Sequence, residues 1–246
     1  RRSPIAVDLG TQAVKLLQLV QRRGELFVQD ALKVEIEPGA RDEAERQRRM
    51  VHAARRALGR GEFRGRTAIG AIPLEHTTTR ALRVARHELD DLQRTVARDA
   101  EELFGAEAEA YTAQWLKVGE RIERGEHRTE ILCCYAPQAR IRARLECFAE
   151  LGLEALALDL DLCATARAFS RPAGRAVALL ELGARSARVA FVRDGEPWLV
   201  RVLPIGGDAL LARLRERLHL DRDALEELAA EAATDEARAA ELEHAI

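Results

Sequence analysis

The chain has 246 residues, with 39 Lys and Arg against 41 Asp and Glu, and its formal net charge of −2 gives no electrostatic argument for nucleic acid or an acidic membrane surface. Aromatic residues are only 4% of the total, too few for base-stacking platforms, whereas 47% hydrophobic and 33% charged residues fit a globular protein with a sizeable core. No run of about 18 apolar residues marks a transmembrane helix, and no signal peptide is visible.

In chain order, residues 5–36 read as three strands. The first two flank Gly10, and the third, Glu25–Glu35, follows an Arg23-Gly24 turn. Pro38-Gly39 breaks the pattern, and a helix is predicted over Asp42–Leu58, with Ala44, Val51, Ala54 and Leu58 inward and Arg outward. Its Arg density is interrupted by Asp42, Glu43 and Glu45, which favours a solvated face over a lipid-binding one. Strands follow at Thr67–Ile72 and Thr77–Val84. Then come a helix over His87–Phe104, strands at Tyr111–Val118 and Thr129–Ala136 around a charged turn at Gly125, a helix over Gln138–Leu151 and a strand at Leu153–Asp159. This αββαβ run reads as a small inserted unit. A helix over Asp161–Phe169 is stopped by Pro172. Strands Arg175–Leu182, Ala187–Arg193 and Trp198–Leu203 follow, and helices open after Gly206-Gly207 and after Asp221. The chain starts Arg1-Arg2, has Met50 as its single Met, and ends in an Ala-rich charged stretch from Leu225, so it reads as a piece truncated at its C-terminus.

The four cysteines, Cys133, Cys134, Cys147 and Cys163, lack C-x-x-C spacing. With no export signal they read as reduced and buried in a cytoplasmic protein. The six His residues are scattered and read as surface or local hydrogen-bonding groups.

Chemistry concentrates in four segments. Asp8-Leu9-Gly10-Thr11 joins two apolar strands. Gly10 lets backbone approach a ligand closely, successive N–H groups of such a turn can cradle an anion, and Thr11 adds a hydroxyl. Leu158-Asp159-Leu160-Asp161 places acidic residues between a strand and a helix. Leu180-Glu181-Leu182-Gly183-Ala184-Arg185-Ser186 repeats the pattern of the first segment, so that Ile5–Leu19 and Val177–Phe191 read as an internal repeat in two related halves. Pro204-Ile205-Gly206-Gly207-Asp208 opens a helix. Gly turns and helix N-termini suit phosphate oxygens, and interspersed carboxylates suit a hydrated magnesium ion. Lys15 reads either as a phosphate contact or as a solvent-facing strand Lys. Asp159 can orient a metal-bound water, and Asp161 can simply cap the next helix.

Taken together, the segments resemble the PilM family of type IV pilus assembly proteins, actin-like relatives of the division protein FtsA. The first phosphate loop of the actin, sugar kinase and heat-shock chaperone superfamily is similar to Asp8-Leu9-Gly10-Thr11 with Val14-Lys15-Leu16. Leu158-Asp159 through Ala164 and Arg167 resembles the family's strand-to-helix link, and Val200-Arg201-Val202-Leu203-Pro204-Ile205-Gly206-Gly207-Asp208 resembles its Arg-x-x-x-Pro-Ile-Gly-Gly segment. The resemblance implies an α/β, actin-like (ribonuclease H-like) two-lobed fold with a small α+β insert in the first lobe and an incomplete second lobe. The implied boundaries are 1–84 for the first lobe, 85–157 for the insert, 158–175 for the segment closing the first lobe and 176–246 for the second lobe.

It also implies ATP with Mg2+ between the lobes. Asp8, Gly10, Thr11, Gln12, Lys15, Gly183, Ser186, Gly206 and Gly207 would contact nucleotide, and Asp8, Asp159 and Glu181 the metal. Asp159 is the candidate general base of what would be at most a slow ATPase. The implied role is a cytoplasmic scaffold, peripheral at the inner membrane through its partners. It would dock the N-terminal cytoplasmic peptide of a PilN-like inner-membrane protein between first lobe and insert, and would contact other components of the pilus inner-membrane complex.

The departures are Glu181 in place of Asp, Ser186 in place of Thr, and Leu211 where Thr is common. The nucleoside-contacting Ala-Glu-x-x-Lys helix is degraded to Ala224-Leu225-Glu226-Glu227-Leu228-Ala229, without Lys. Alternatives are a cytoplasmic domain of the GspL kind from type II secretion with a degenerate nucleotide site, an FtsA-like filament former, and a sugar or acetate kinase, for which no substrate motif is present.

Overall fold

The computed structural model describes residues 1–169 and 176–232. Pro172, Arg175 and the stretch beyond residue 232, which entered the sequence expectations, lie outside them. Among the described residues no helix is long and apolar enough to cross a membrane.

The first sheet grows from an antiparallel meander, β1 (Ile5–Leu9), β2 (Ala13–Arg22) and β3 (Glu25–Glu35). The β2–β3 turn sets Arg23 at φ 52° and Gly24 at φ 87°, the backbone of a two-residue hairpin loop that matches strand twist. Helix α1 (Glu43–Arg60) crosses over to β4 (Thr67–Ile72), which runs parallel to β1. The helix starts at Asp42, whose side chain accepts the Glu45 N–H at 2.7 Å. Its small residues Ala54 and Ala57, with Val51, pack on Ile5, Val7, Leu9, Val14 and Leu16. The pleat explains the other face: alternate residues of β1 point away from this core, and Asp8 is among them. Opposite the bulge that β3 makes at Gln29, Gln18 of β2 is 1% exposed. It donates to the carbonyls of Ser3 (3.0 Å) and Arg64 (2.8 Å) and accepts the Arg64 N–H (2.9 Å).

A second sheet follows β4. Strand β5 (Thr78–Ala85), helix α2 (Leu92–Phe104), β6 (Tyr111–Glu123) and β7 (Glu126–Pro137) form an antiparallel sheet in the order β5-β7-β6. Its core joins Val84, Val96, Ala100, Ile131, Cys133 and Tyr135. The helix predicted from His87 starts later. Asp91 leaves helical geometry (φ −136°, ψ 56°) to cap the Arg94 N–H at 3.2 Å, and residues 86–91 form a 3-10 segment instead.

Helix α3 (Gln138–Glu150) then returns the chain to the first sheet through β8 (Glu154–Leu160), parallel to β4, giving the order β3-β2-β1-β4-β8. The pairing therefore departs from the predicted insert at both ends. β5 belongs to the inserted sheet, because it pairs with β7 from Thr78 to Ala85. α3 and β8 belong to the first sheet, because Cys147, Phe148 and Leu153 are buried in its core.

Helix α4 (Asp161–Ala168) buries Leu162, Cys163 and Ala166. Strands β9 (Ala176–Leu182), β10 (Ala187–Arg193) and β11 (Glu196–Leu203) form a three-stranded sheet in the order β11-β10-β9. Helices α5 (Gly207–Leu218) and α6 (Arg222–Ala232) follow, and Leu225 and Leu228 are buried. The chain resolves into two compact units, residues 1–178 with 190–200, and residues 179–189 with 201 onward.

All four cysteines are free and buried. Burial pushes the Cys133 and Cys163 thiols up to about 11 and Cys134 to about 12, so these sulfurs stay protonated and inert at neutral pH.

Candidate functional site

The first hairpin is built by steric necessity at Gly10. The Gly10 N–H donates to the Ala13 carbonyl at 3.1 Å, and a Cβ at Gly10 would sit 2.8 Å from that oxygen. Only glycine closes this turn without displacing it. The register then sets Asp8 directly opposite Lys15, and the ammonium donates to Asp8 Oδ2 at 3.0 Å. Thr11 is exposed at the tip, and the Gln12 carbonyl accepts the Ile36 N–H at 2.8 Å, tying the turn to the end of β3.

The β9–β10 hairpin repeats this geometry within the second compact unit. The Gly183 N–H donates to the Ser186 carbonyl at 2.9 Å, and a Cβ at Gly183 would lie 2.9 Å from that oxygen. Glu181 stands in this hairpin where Asp8 stands in the first, and Arg188 where Lys15 stands. Arg188 donates to Glu181 Oε1 at 2.8 Å across the same separation of 7 residues. The segment 206–208 packs against this turn: the Gly207 N–H donates to the Gly183 carbonyl and the Asp208 N–H to the Ala184 carbonyl, both at 2.8 Å. A Cβ at Gly206 would meet the Ala184 oxygen at 2.4 Å, so the Gly-Gly pair serves this close backbone approach. The next two amides of α5, Ala209 and Leu210, donate to the Gly206 carbonyl. The opening N–H groups of α5, which the sequence offers to phosphate, are thus engaged by backbone carbonyls.

At the β8–α4 junction, Asp161 Oδ1 accepts the N–H groups of Leu162 (2.7 Å) and Leu74 (3.1 Å), which ties the first residue of α4 to the segment after β4. Asp159 Oδ1 accepts the Leu160 N–H at 2.8 Å, and Oδ2 is ion-paired with Arg167 of α4.

Each proposed metal carboxylate therefore carries its own cation: Asp8 has Lys15, Asp159 has Arg167 and Glu181 has Arg188. Among the described residues no group of three or more His, Cys, Asp or Glu side chains could hold a metal ion. Sequence reasoning did not assign Arg188 and Arg144. Arg188 had a signal, the identical acid-to-base spacing in the two repeats. Arg144 on α3 had none: its Nη1 is buried without a hydrogen-bond partner. Burial disfavours its charge, and the nearby Cys147 and Asp8 offset this.

The sequence profile of the family described as "Type IV pilus assembly protein PilM" matches residues 6–239. No curated protein matches the chain in sequence. Among solved structures, the "PilM-PilN type IV pilus biogenesis complex" superposes with a TM-score of 0.73 at 21% identity, over 92% of this chain and 68% of that one. The ethanolamine utilization protein EutJ from Carboxydothermus hydrogenoformans gives 0.53 at 15% identity, over 100% of this chain and 66% of that one. The cytoplasmic domain of EpsL, an inner-membrane component of the type II secretion system of Vibrio cholerae, gives 0.53 at 11% identity, over 90% and 78%. The fold is actin-like.

Proposed function

Because the chain belongs to the family of the type IV pilus assembly protein PilM, we propose that it is an actin-like scaffold of pilus assembly that binds nucleotide and docks a short cytoplasmic peptide of a PilN-like inner-membrane protein. The observation that carries this reading is the family match over residues 6–239. The repeated Gly10 and Gly183 hairpins support its nucleotide part. Each is closed by the same N–H to carbonyl bond and carries an acid–base pair across its two strands. The relative solved as a PilM–PilN complex supports the choice of partner. Attachment to the inner membrane would then run through that partner.

The residues proposed for nucleotide are Asp8, Gly10, Thr11, Gln12, Lys15, Gly183, Ser186, Gly206 and Gly207, the last two by holding the second turn in shape. Asp159 lacks the freedom of a general base while Arg167 holds it, so turnover should be slow at most.

The test is calorimetric titration of ATP into the full chain, with Asp8→Ala as control, followed by titration of a synthetic PilN-like N-terminal peptide. Saturable ATP binding that changes in the variant, and peptide binding in the micromolar range, are expected. A folded protein that binds the peptide and not ATP would reduce the role to a docking module. One that binds neither would overturn the reading.

A further inference from the structure

We infer that helix α1 carries a basic stripe, Arg48, His52, Arg55, Arg56 and Arg60, that rests on an anionic membrane surface. The stripe lies wholly within the first compact unit. The choice of a membrane over another polyanion rests on the role at the inner membrane proposed above.

The fold separates charges that the sequence interleaves. Asp42, Glu43 and Glu45 all stand at the cap and first turn of α1, and each is engaged there. Asp42 accepts the Glu45 N–H, Glu43 pairs with Arg46 at 2.6 Å, and Glu45 holds Arg41 at 3.1 Å and Arg49 at 2.7 Å. Beyond Glu45 the helix has no acidic residue. Its exposed positions from there on are Arg48, His52, Arg55, Arg56, Gly59 and Arg60. Steps of three and four keep them on one side of the helix, away from buried Val51, Ala54 and Ala57. At about 1.5 Å per residue, the stripe from Arg48 to Arg60 is about 18 Å long. The chain's net charge of −2 hides this segregation.

Among the described residues, the ion pairs of α1 engage Arg46 and Arg49, and Arg48, Arg55, Arg56 and Arg60 have none. Arg55 donates to the Glu150 carbonyl at 3.0 Å, which anchors its side chain without neutralising it. Glu35, Glu37 and Glu150 line a hollow of about 550 Å3 together with Arg48, Arg55 and Arg56. Glu35 lies 3.6 Å from Lys33. Setting Glu37 and Glu150 against the four arginines still leaves a surplus of positive charge. A line of separate guanidinium groups does not converge on one small anion; it matches an extended sheet of lipid phosphates, and it stays charged at any accessible pH. No exposed apolar side chain stands in the stripe, so the contact stays at the headgroups without insertion. With the protein already held by a membrane partner, even a weak headgroup contact acts at high effective concentration.

The test is co-sedimentation of the full chain, without partner or nucleotide, with vesicles of phosphatidylglycerol and phosphatidylethanolamine and with vesicles of phosphatidylcholine. It is repeated with the triple variant Arg48→Gln, Arg56→Gln, Arg60→Gln. These side chains are exposed, so the variant should fold, and circular dichroism checks that it does. Binding to the anionic vesicles alone is expected at about 0.1 M salt, with release at about 1 M, where screening shortens to about 3 Å. The variant should bind on the order of 100-fold more weakly, at about fivefold per arginine. No binding to anionic vesicles by folded wild type would overturn the inference and leave attachment through the partner intact. Binding that the variant retains, or equal binding to phosphatidylcholine, would overturn it as well. Tighter binding to double-stranded DNA than to the vesicles in the same buffer would assign the stripe to nucleic acid and remove the membrane from the proposal.

Discussion

Gln18 and Tyr135 show how single polar side chains hold this structure together. Gln18 fills a fully buried position on β2 opposite the β3 bulge, and its amide satisfies the Ser3 carbonyl and both backbone groups of Arg64. It staples the N-terminal segment and the loop before β4 to one strand. Gln18→Leu keeps the volume and orphans three backbone groups, so a loss of about 2–4 kcal/mol is expected in chemical denaturation. Tyr135, also fully buried, donates to Asp99 Oδ2 at 2.5 Å, while Arg80 holds Asp99 Oδ1 at 3.1 Å. Burial, and then the bond to Asp99, pushes the phenol well above its ordinary range, so it remains a donor at all working pH values. Tyr135→Phe leaves a buried carboxylate with its Arg partner alone, and should destabilise the inserted sheet by about 1–3 kcal/mol. Unfolding followed by Trp115 fluorescence, beside this core, would read that loss locally; an unchanged midpoint would mean that Arg80 alone satisfies Asp99.

Among the elements, α1 depends most visibly on its start. Asp42 accepts the Glu45 N–H, and Glu45 reaches back to the Arg41 N–H at 3.0 Å and forward to Arg49 at 2.7 Å. The bond from the Arg41 N–H, followed by the Arg49 and Arg41 side chains, holds the Glu45 carboxyl down at about 2 against an ordinary 4.5. A depressed carboxylate stabilises the fold above its unfolded value and stops doing so as pH falls through its folded value. The contribution of Glu45 should therefore be full above about pH 4.5 and fade toward about pH 2. Thermal unfolding of wild type and Glu45→Gln should converge across that window and differ above it. Asp42→Ala should cost about 1 kcal/mol at neutral pH, read by the same melts.

This helix was legible in the sequence from its apolar period: Val51 and Ala54 are buried as expected, whereas Ala44 is exposed near the helix start and Ala53 and Ala57 share the buried face. The strand ends were legible too: the Arg23-Gly24 turn and the turn at Gly125 fall where the sequence places them, with positive φ at Arg23, Gly24 and Gly125. Membership of the inserted sheet was not legible. β5 and β8 are both short apolar strands, and only long-range pairing decides which sheet each one joins. At the site, the glycine turns were visible and the ion pairs were missed. Asp8 and Lys15 become partners only once the turn length fixes their register, and Arg144 approaches Asp8 from a helix more than 130 positions away in the chain.

For the molecule as a whole, the proposed role requires nucleotide and partner peptide to sense one another. The proposed role places both ligands on a single chain, but two sites on one chain are not by themselves a switch. Coupling exists only if nucleotide has different affinities for the peptide-free and peptide-bound states, and any such difference is reciprocal. The factor by which saturating ATP changes the peptide Kd must equal the factor by which saturating peptide changes the ATP Kd. Allosteric coupling is typically about 5- to 150-fold, so a factor of at least about 5 is expected here, measured by calorimetry in both orders of addition. ATP should also raise the melting temperature as its concentration passes Kd, by about 2.7 kcal/mol of added stability at 100 times Kd. The cross-titration distinguishes two kinds of scaffold. Equal factors above 5 describe a nucleotide-gated dock. Factors of 1 in both orders, with the thermal shift retained, describe a nucleotide that fixes the fold and leaves the partner affinity alone.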